Sequence, residues 1–428
     1  MEGEPHDPVL RDILRFNEGR KPLGVRLKIR LMAAGGFSFF RATNHLFAAE
    51  WASLRPLDPG PMALICGDLH LENFGAYLTD DGECKFSIND FDEAYVAPVG
   101  IDLVRCSASI LLAAEEWSMS TTRAAALVVE FLDCYREEVA SVATAGSVDG
   151  VDPSSGEGEV LDLLGPTSVG SREALLARQT VDVHKLGRHS LRVDGEHRPV
   201  GKKKLDSIRS AFREMAEASE VHRSIEVIDA TTRVAGLGSL GLRRYLVLTR
   251  RDADRGHPRL LDVKEAAPSA LQSCVDCPQP AWGQGEAARV ITAERLVLGK
   301  PESGLAEVII GPRSYRVRDM IPDANRSKLS RLRRAPMQLR SAVRAAGGIA
   351  AWSHARGVHA LDPLRVVSLA QWSGGAAFDS IMVAAARAAD RCRDDYDSFR
   401  RSLARRSVRR RLGLSPGNGR RRGTPIRG

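Results

Sequence analysis

The sequence predicts an α+β fold in which a strand-rich region lies between two helical regions. Residues 102–143 and 328–404 carry apolar side chains three and four positions apart, the spacing of amphipathic helices. Residues 225–320 instead contain short apolar runs such as RRYLVLTR and RLLDVKEA, which are typical of β-strands, with one helical segment among them. We therefore expect a helical part built from both ends of the chain and an antiparallel sheet built from its middle.

Length and composition argue against a membrane or secreted protein. The chain has 428 residues, enough for two or three domains, and its 43% hydrophobic and 27% charged residues are typical of a globular protein. No apolar run reaches the roughly 20 residues that a membrane-spanning helix needs. The start, MEGEPHDPVL, lacks the apolar segment of a signal peptide. We expect a cytoplasmic protein that does not contact a membrane.

Positive charge is concentrated at the C-terminus. Residues 400–428 contain eleven arginines and no acidic residue, whereas the whole chain carries a net charge of +8, so the remainder is mildly acidic. Such a run predicts a disordered basic tail over residues 401–428. This tail is either a solvated segment without a specific partner or a weak contact for nucleic acid.

Two acidic segments lie close together in the first quarter of the chain. CGDLHLENFG, residues 66–75, continues from the apolar run MALIC, and INDFDEA, residues 88–94, continues from CKFS. The stretch TDDGE between them has the composition of a turn and predicts a hairpin. Carboxylates packed this densely beside apolar strands are costly unless they bind something, so the pattern predicts a ligand or metal site.

Asp68 and Asn73 stand in the spacing D-L-x-x-x-N, which is the catalytic-loop spacing of protein kinases. In that loop the aspartate accepts the proton of the substrate hydroxyl and the asparagine binds Mg²⁺. Asp90 on the next strand is placed to give the same metal another oxygen, and Asp92, two residues on, points to the same face. We predict Asp68 as the catalytic base and Asn73, Asp90 and Asp92 as metal ligands.

Arg41 and His70 are candidate contacts to substrate or phosphate. A structural ion pair for Arg41 and a loop hydrogen bond for His70 are the other interpretations. His70 also belongs to GDLH, which resembles the G-D-x-H opening of metal-dependent phosphoesterases, where it would be a metal ligand. Those enzymes need further ligand blocks of the G-N-H-E type, and the sequence contains none.

A glycine-rich stretch, VAGLGSLGLRRYLVLTR, contains Gly236, Gly238 and Gly241 as G-x-G-x-x-G, with Ser239 among them. A dinucleotide-binding fold needs a helix directly after the third glycine, but the residues that follow are typical of a strand. A glycine turn between two strands is the phosphate cover of kinases. Lys264 then ends the apolar strand LLDVK, which is where a kinase places the lysine that contacts the nucleotide phosphates.

A helix follows Lys264, and in the kinase arrangement a glutamate on this helix pairs with the lysine. Glu294 in VITAERL is the predicted partner, with Glu286 as the alternative. The strands AEVIIG and SYRVRDM would then complete the sheet around the nucleotide.

The order of these segments differs from that of a kinase, because the catalytic segment precedes the glycine loop and the lysine. GDLHLENFG followed by INDFDEAYVAPVGIDLVR resembles the aminoglycoside phosphotransferase pattern, and Asp102 matches the last aspartate of that pattern. GGIAAWSHARGVHA, residues 347–360, resembles the helix that precedes the catalytic loop in aminoglycoside and choline kinases. The resemblance implies a circularly permuted, protein-kinase-like fold with two lobes.

The chain as a whole is identified as a member of the bacterial family called domain of unknown function 2252. The matching pieces include FFRATN, NDFDEA, DLVRCSAS, GLGSLG, RVITAER and YRVRDM. Cys66 departs from the kinase pattern, since a histidine or arginine often precedes the catalytic Gly-Asp or Asp. Thr292 and Glu294 replace the glutamate and glutamine of R-V-V-E-G-Q-R, which bears on the partner of Lys264.

The permuted arrangement divides the chain into six parts. They are the catalytic-loop part of the large lobe (1–143), a flexible linker (144–171), a helical connector (172–224), the nucleotide-binding small lobe (225–322), the helical remainder of the large lobe (323–400) and the basic tail (401–428).

We expect a phosphotransferase that uses ATP and Mg²⁺ to phosphorylate a hydroxyl group, on a small molecule in preference to a protein. Nucleotidyl transfer by the same fold, a nucleotide-binding regulator without turnover and a metal-dependent phosphoesterase are the alternatives. A regulator would be indicated by loss of Asp68 or Asp90, and both are present.

Overall fold

The computed structural model describes residues 7–146, 170–183, 188–218, 225–250, 258–320 and 329–414. Within these residues the chain is a mixed α+β protein with antiparallel sheets, as the sequence predicted. Both helical regions and the strand-rich middle are confirmed. None of the helices in these ranges is long and apolar enough to cross a membrane.

The elements are numbered here in chain order. The helices are Pro8–Phe16 (α1), Pro22–Met32 (α2), Gly36–Ala42 (α3), Asn44–Leu54 (α4), Gly100–Glu116 (α5), Thr121–Ala145 (α6), Gly170–Gln179 (α7), Lys202–Ala218 (α8), Glu286–Leu298 (α9), Pro336–Leu361 (α10), Val366–Gly374 (α11), Ser380–Ala404 (α12) and Arg406–Arg411 (α13). The strands are Met62–Ile65 (β1), Phe74–Leu78 (β2), Cys84–Ile88 (β3), Tyr95–Pro98 (β4), Thr180–Val183 (β5), Arg188–Leu191 (β6), His197–Pro199 (β7), Glu226–Arg233 (β8), Arg244–Arg250 (β9), Pro258–Glu265 (β10), Ala306–Ile310 (β11) and Arg313–Asp319 (β12).

The middle of the chain forms one six-stranded antiparallel sheet in the order β11-β12-β10-β9-β8-β7. Val263 on β10 and Val317 on β12 pair across the strands and belong to a buried apolar cluster. Ile208 and Phe212 of α8 cover this cluster. Since side chains alternate along a strand, Lys264 points to the opposite face of the sheet, away from α8.

The two acidic segments connect two small sheets. β1 pairs with β4, and β2 pairs with β3. CGDLHLENFG leads from β1 into β2, and INDFDEA leads from β3 to β4. Each segment therefore begins beside the strand at which the other segment ends. The predicted hairpin around TDDGE is the β2–β3 pair. The β1–β4 pair was not predicted. This pair brings the two acidic segments next to each other.

The helical part packs around α10. This helix contacts α6, α9 and strand β1. Trp352 on α10 is buried and donates to Glu138 on α6 at 3.1 Å. Gly357 on the same helix lies directly against β1, because a Cβ atom there would come within 2.1 Å of the Leu64 carbonyl oxygen. Helix and strand therefore touch backbone to backbone.

The two ends of the described chain lie side by side. Asp7 precedes α1, and its carboxylate accepts hydrogen bonds from Ser398 at 3.2 Å and from Ser402, both on α12. Helix α1 also contacts α12 along its length. The N-terminal helix is thus anchored to the C-terminal helical region.

The prediction of a helical connector over residues 172–224 is wrong in part. α7 and α8 are helical, but β5, β6 and β7 lie between them, and β7 pairs with β8 at the edge of the six-stranded sheet. The strands β6 (RHSL) and β7 (HRP) are short and polar, so they lack the apolar alternation that marks a strand in a sequence. Residues 219–224 lie outside the described residues.

The predicted disordered tail over residues 401–428 begins too early. α12 continues to Ala404, and α13 follows to Arg411. Ser402 is buried against Asp7, and Leu403 and Val408 pack on the main apolar core, which explains why this stretch is helical. Residues 415–428 and residues 147–169 of the predicted linker lie outside the described part of the chain. The remaining domain boundaries stay predictions.

We expect Gly357→Ala to lower the free energy of unfolding by about 1–3 kcal/mol, because the added methyl group forces α10 away from β1. Gly374→Ala is the matched control, since nothing lies within 4 Å of a Cβ atom at that exposed helix end. Urea denaturation followed by circular dichroism measures both. Equal stability of the two variants would show that α10 and β1 can separate without loss.

Candidate functional site

A cleft lies between the acidic segments, the glycine-rich loop and the first helices of the chain. Its volume is about 630 Å³, which includes space that is open to solvent. The charged or polar residues that line it are Asp68, Asn73, Asp90, Asp92, Glu93, Arg20, Lys28, Arg41, Asn44 and Ser239. Segments far apart in the sequence, including most of the predicted site, therefore meet in this cleft.

Asp68 lies at the base of the cleft and forms an ion pair with Arg105 of α5. Arg105 is fully buried, donates to the carbonyl oxygen of Phe40 at 3.0 Å and stacks over the rings of Phe40 and Phe47. Burial raises the pKa of Asp68 to about 7, although the Arg105 charge opposes this shift. Arg105 contacts one carboxylate oxygen, Oδ1, so Oδ2 remains available to accept a proton.

The backbone before Asp68 is fixed by Asp102, at the start of α5. Its two carboxylate oxygens accept from the backbone N–H groups of Cys66 and Gly67, each at 2.9 Å. Gly67 has a φ of +79°, and a Cβ atom there would come within 2.1 Å of the Glu93 carbonyl oxygen. Only glycine fits this turn, which brings the two acidic segments into contact.

A buried chain of hydrogen bonds supports Asp102 from behind. His354 of α10 lies with its Nε2 at 3.4 Å from Asp102, and the Tyr135 hydroxyl lies 2.9 Å from Nδ1 of the same ring. Burial raises the pKa of Tyr135 well above its usual range. The hydroxyl therefore remains protonated and can donate to His354, which leaves the ring N–H for Asp102.

Asn73 lies on the same loop, and its side-chain amide nitrogen donates to the backbone carbonyl of Asp68 at 2.6 Å. This hydrogen bond fixes the amide plane and leaves the amide oxygen as the free ligand atom. The backbone carbonyl of Asn73 accepts from Asn89 at 2.9 Å, which joins the two acidic segments again. Asn73 and Asp90 are therefore held at the same end of the cleft.

Lys264 reaches this end from the six-stranded sheet. Its ammonium lies 3.3 Å from Oδ1 of Asp90 and 2.5 Å from Oδ2 of Asp92, and its side chain is 5% exposed. Burial opposes the ionisation of Asp90, but the charges of Lys264 and Arg316 outweigh it and hold the pKa of Asp90 below its usual range. Two carboxylates and a lysine that are 174 residues apart in the chain thus form one charged group.

The predicted ion pair between Lys264 and Glu294 is not formed, so that prediction is wrong. Glu294 pairs with Arg316 at 2.9 Å, and the alternative partner, Glu286, pairs with Arg289 at 2.8 Å. Arg316 lies directly opposite Lys264 in the β10–β12 register, on the same face of the sheet. Arg316 therefore forms the ion pair with Glu294 of α9, and Lys264 pairs with Asp90 and Asp92 instead.

Helix α9 contacts the acidic segment through an arginine. Arg289 is buried and donates to the backbone carbonyl oxygens of Asp92 at 2.9 Å and Ala94 at 2.5 Å. A third hydrogen bond goes to the Ala267 carbonyl at 2.9 Å. The helix thus positions the backbone of the acidic segment, whereas Lys264 binds its side chains.

The glycine-rich loop connects β8 to β9, as predicted for a turn between two strands. Its tip rests on the first helices: the Gly238 carbonyl accepts from Arg20 at 2.9 Å and from Lys28 at 3.0 Å. The Gly241 carbonyl accepts from the backbone of Lys21 at 2.8 Å. Gly238 and Ser239 line the cleft. Gly236 lies at the start of the same loop.

Arg41 lines the cleft and forms an ion pair with Glu72. His70 does not line it: the ring is buried, and its Nδ1 accepts from the backbone N–H of Glu72 at 3.2 Å. Burial lowers the pKa of His70 well below its usual range, so the ring is neutral. His70 holds the loop and is not placed to contact substrate or a metal.

The oxygen donors of the cleft fit Mg²⁺. No three His, Cys, Asp or Glu side chains gather as a metal-ligand group in the part of the chain that the structure describes. Mg²⁺, however, takes one or two carboxylates together with water and phosphate oxygens, so Asn73, Asp90 and Asp92 are a sufficient set. No cysteine or histidine is among the described residues that line the cleft, which disfavours the softer metals.

Sequence reasoning missed several charged residues around the cleft. Lys28 is one of three basic residues that alternate with apolar residues in VRLKIRLM, so the sequence did not distinguish it. Arg105 lies within the apolar helical stretch DLVRCSAS, where a buried charge is costly without a partner. A charged residue inside an apolar stretch was the sequence feature that could have identified Arg105. The partners of both residues could not be inferred, because these lie on other elements.

The chain matches a family of proteins over residues 20–402, described as "Uncharacterized protein conserved in bacteria (DUF2252)". The chain belongs to this family. No curated protein and no solved structure matches the sequence. The predicted membership of DUF2252 is confirmed.

We expect Asp102→Asn in this DUF2252 protein to lower the free energy of unfolding by about 2–3 kcal/mol, because the amide NH₂ group faces a buried backbone donor. Tyr135→Phe is the matched control and should cost about 0.5–1.5 kcal/mol, since it removes one neutral hydrogen bond further from the loop. Urea titration of each variant measures this. An Asp102→Asn protein as stable as Tyr135→Phe would contradict the role of Asp102.

Proposed function

We propose that this protein is a protein-kinase-like phosphotransferase, which binds ATP with Mg²⁺ and transfers the γ-phosphoryl group to a hydroxyl. One observation carries the proposal: Lys264 of the sheet forms ion pairs with Asp90 and Asp92, which line the cleft together with Asp68 and Asn73. A phosphate-binding cation, metal-binding oxygens and a base are the parts that phosphoryl transfer requires.

In this proposal Lys264 contacts the nucleotide phosphates, and the loop from Gly236 to Gly241 covers them. Asn73, Asp90 and Asp92 hold Mg²⁺, which neutralises phosphate charge when bound. Because the Lys264 ammonium already lies within 3.3 Å of both aspartates, little rearrangement is needed to bring phosphate and metal together.

Asp68 is the proposed base. The acceptor oxygen forms a bond to the γ-phosphorus, the bond from that phosphorus to the bridging oxygen breaks, ADP leaves, and the acceptor proton passes to Asp68. Burial raises the pKa of Asp68 to about 7, which places the carboxylate close to the pKa that a general base needs at neutral pH. Arg105 holds the side chain in place.

The segment order supports a circular permutation of the kinase fold. Asp7, just before α1, accepts hydrogen bonds from Ser398 and Ser402 of α12, so the first and last helical regions of the described chain are adjacent. If these two regions were joined and the chain were opened elsewhere, the order would be the glycine loop, Lys264, α10, α12 and then the loop that carries Asp68. Adjacent termini are the structural condition for such a rearrangement.

We expect the wild-type protein to bind Mg²⁺ and ATP together, and Lys264→Met and Asp90→Asn each to weaken this affinity by at least about tenfold, or 1.4 kcal/mol. Isothermal titration calorimetry measures the affinity. Lys300→Met is the matched control, because Lys300 also pairs with two acids, Asp81 and Glu83, but on the surface. Absence of ATP binding to the wild type at millimolar nucleotide would overturn the proposal.

We expect Asp68→Asn to lower the rate of Mg²⁺-dependent phosphoryl transfer, including slow transfer to water, by about 10² or more, with little change in ATP affinity. The wild-type rate should rise with pH through about 7, because Asp68 must lose its proton to act and burial has raised its pKa. Phosphate release from ATP between pH 5 and 9 measures both effects. An unchanged rate in Asp68→Asn would exclude Asp68 as the base.

A further inference from the structure

Two cations of the cleft have only neutral partners. Lys28 is 1% exposed, and its ammonium donates to the Gly238 carbonyl at 3.0 Å and to Oδ1 of Asn17 at 3.4 Å. Arg20 donates to the same Gly238 carbonyl at 2.9 Å. Within the described residues, no salt bridge joins either side chain to a carboxylate. A buried ammonium with neutral partners is a favourable place for an anion, because an anion offsets its desolvation.

Burial and the nearby charge of Arg20 lower the pKa of Lys28 to about 7. The same two side chains flank the ring of Phe16, at 5.0 Å for Arg20 and 5.6 Å for Lys28. They are therefore held by packing and not spread into solvent. This part of the cleft is a fixed surface of basic side chains.

Two further polar side chains extend this surface toward Asp68. Arg41 also lines the cleft, and its Nε has no hydrogen-bond partner among the described residues. Asn44 lines the cleft as well, is 5% exposed, and its Oδ1 likewise lacks a partner there. Its amide nitrogen donates to the Gly67 carbonyl at 3.1 Å, which ties the surface to the catalytic loop.

The acids that line the cleft have partners of their own. Asp68 is paired with Arg105, and Asp90 and Asp92 share the single ammonium of Lys264. Glu93 accepts from the backbone N–H of Ala270 at 2.6 Å. The basic side chains that lack a carboxylate partner among the described residues, Arg20 and Lys28, therefore lie on the side formed by α1 to α4, beside Arg41, which pairs with Glu72.

We propose that the acceptor is an anionic alcohol, that is, a hydroxyl compound with a phosphate or carboxylate group that Arg20, Lys28 and Arg41 bind. This inference rests on the proposed phosphotransferase function. The nucleotide phosphates have their own cation in Lys264, on the sheet side. The other three cations belong to the wall that carries Asp68, where the acceptor hydroxyl must lie. Aminoglycosides and choline are cations, so this acceptor class differs from theirs.

Calorimetry on the full-length protein, saturated with Mg²⁺ and a non-hydrolysable ATP analogue, tests the proposal. The titrants are glycerol 3-phosphate, glycerate, glycerol and choline. We expect at least one of the two anions to bind about tenfold or more tightly than glycerol, and choline not to bind. The two anions distinguish phosphate from carboxylate recognition. Choline or glycerol binding as tightly as the anions, or no anion binding at about 10 mM, would overturn the inference.

The variants Lys28→Met and Arg41→Gln test whether the site for the acceptor anion is distinct from the nucleotide site. Each should weaken anion binding about tenfold or more and change the affinity for the ATP analogue less than about threefold. Arg30→Gln, which removes an exposed cation from the same helix as Lys28, should change neither. Equal loss of analogue and anion would assign these cations to the nucleotide and overturn the inference. Failure of the wild type to bind the analogue would instead contradict the phosphotransferase function itself.

Discussion

The group formed by Lys264, Asp90 and Asp92 joins the sheet to the acidic segment, and the cleft depends on it. Arg289 of α9 and Arg318 of β12 reinforce this junction, since both donate to backbone carbonyls of residues 89–94. Three cations from the middle of the chain therefore hold one short loop from its first quarter. Partly buried ion pairs add little net stability, but they strongly disfavour other relative positions of their partners. Their contribution here is to fix where the sheet meets the catalytic loop.

The loop that carries Asp68 is also fixed from the helical side. Asp102 binds the backbone before Asp68, Arg105 binds its side chain, and both arginine and aspartate lie on the first turns of α5. His354 and Tyr135 then connect α5 to α10 and α6. The two segments are also joined to each other, through the backbone hydrogen bond from Asn89 to Asn73, so Asp68 and the two aspartates are held in one arrangement from both sides.

The local features of the site were predictable, and the pairings between distant elements were not. The hairpin β2–β3, the glycine turn between β8 and β9 and the strand that ends at Lys264 follow from alternation and turn residues within a few positions. The partner of Lys264 depended on which residue lies opposite it, and only the register of β10 with β12 places Arg316 there. Arg105 was visible as a charge in an apolar helix, but only the folded structure shows that it pairs with Asp68 and that Lys28 lines the cleft. Short polar strands such as β7 gave no signal, because the sheet supplies their stability.

The charges of the cleft constrain how it can bind a nucleotide. Asp90 and Asp92 share the ammonium of Lys264, so a phosphate that binds Lys264 without a metal leaves both carboxylates without this partner. The same carboxylates repel the incoming phosphate, and their repulsion is strong where the surroundings exclude water. A divalent cation on the two aspartates removes both penalties at once. It follows that the nucleotide and the metal should each strengthen the binding of the other. The coupling free energy arises because the aspartates and the phosphates must share one ammonium, that of Lys264.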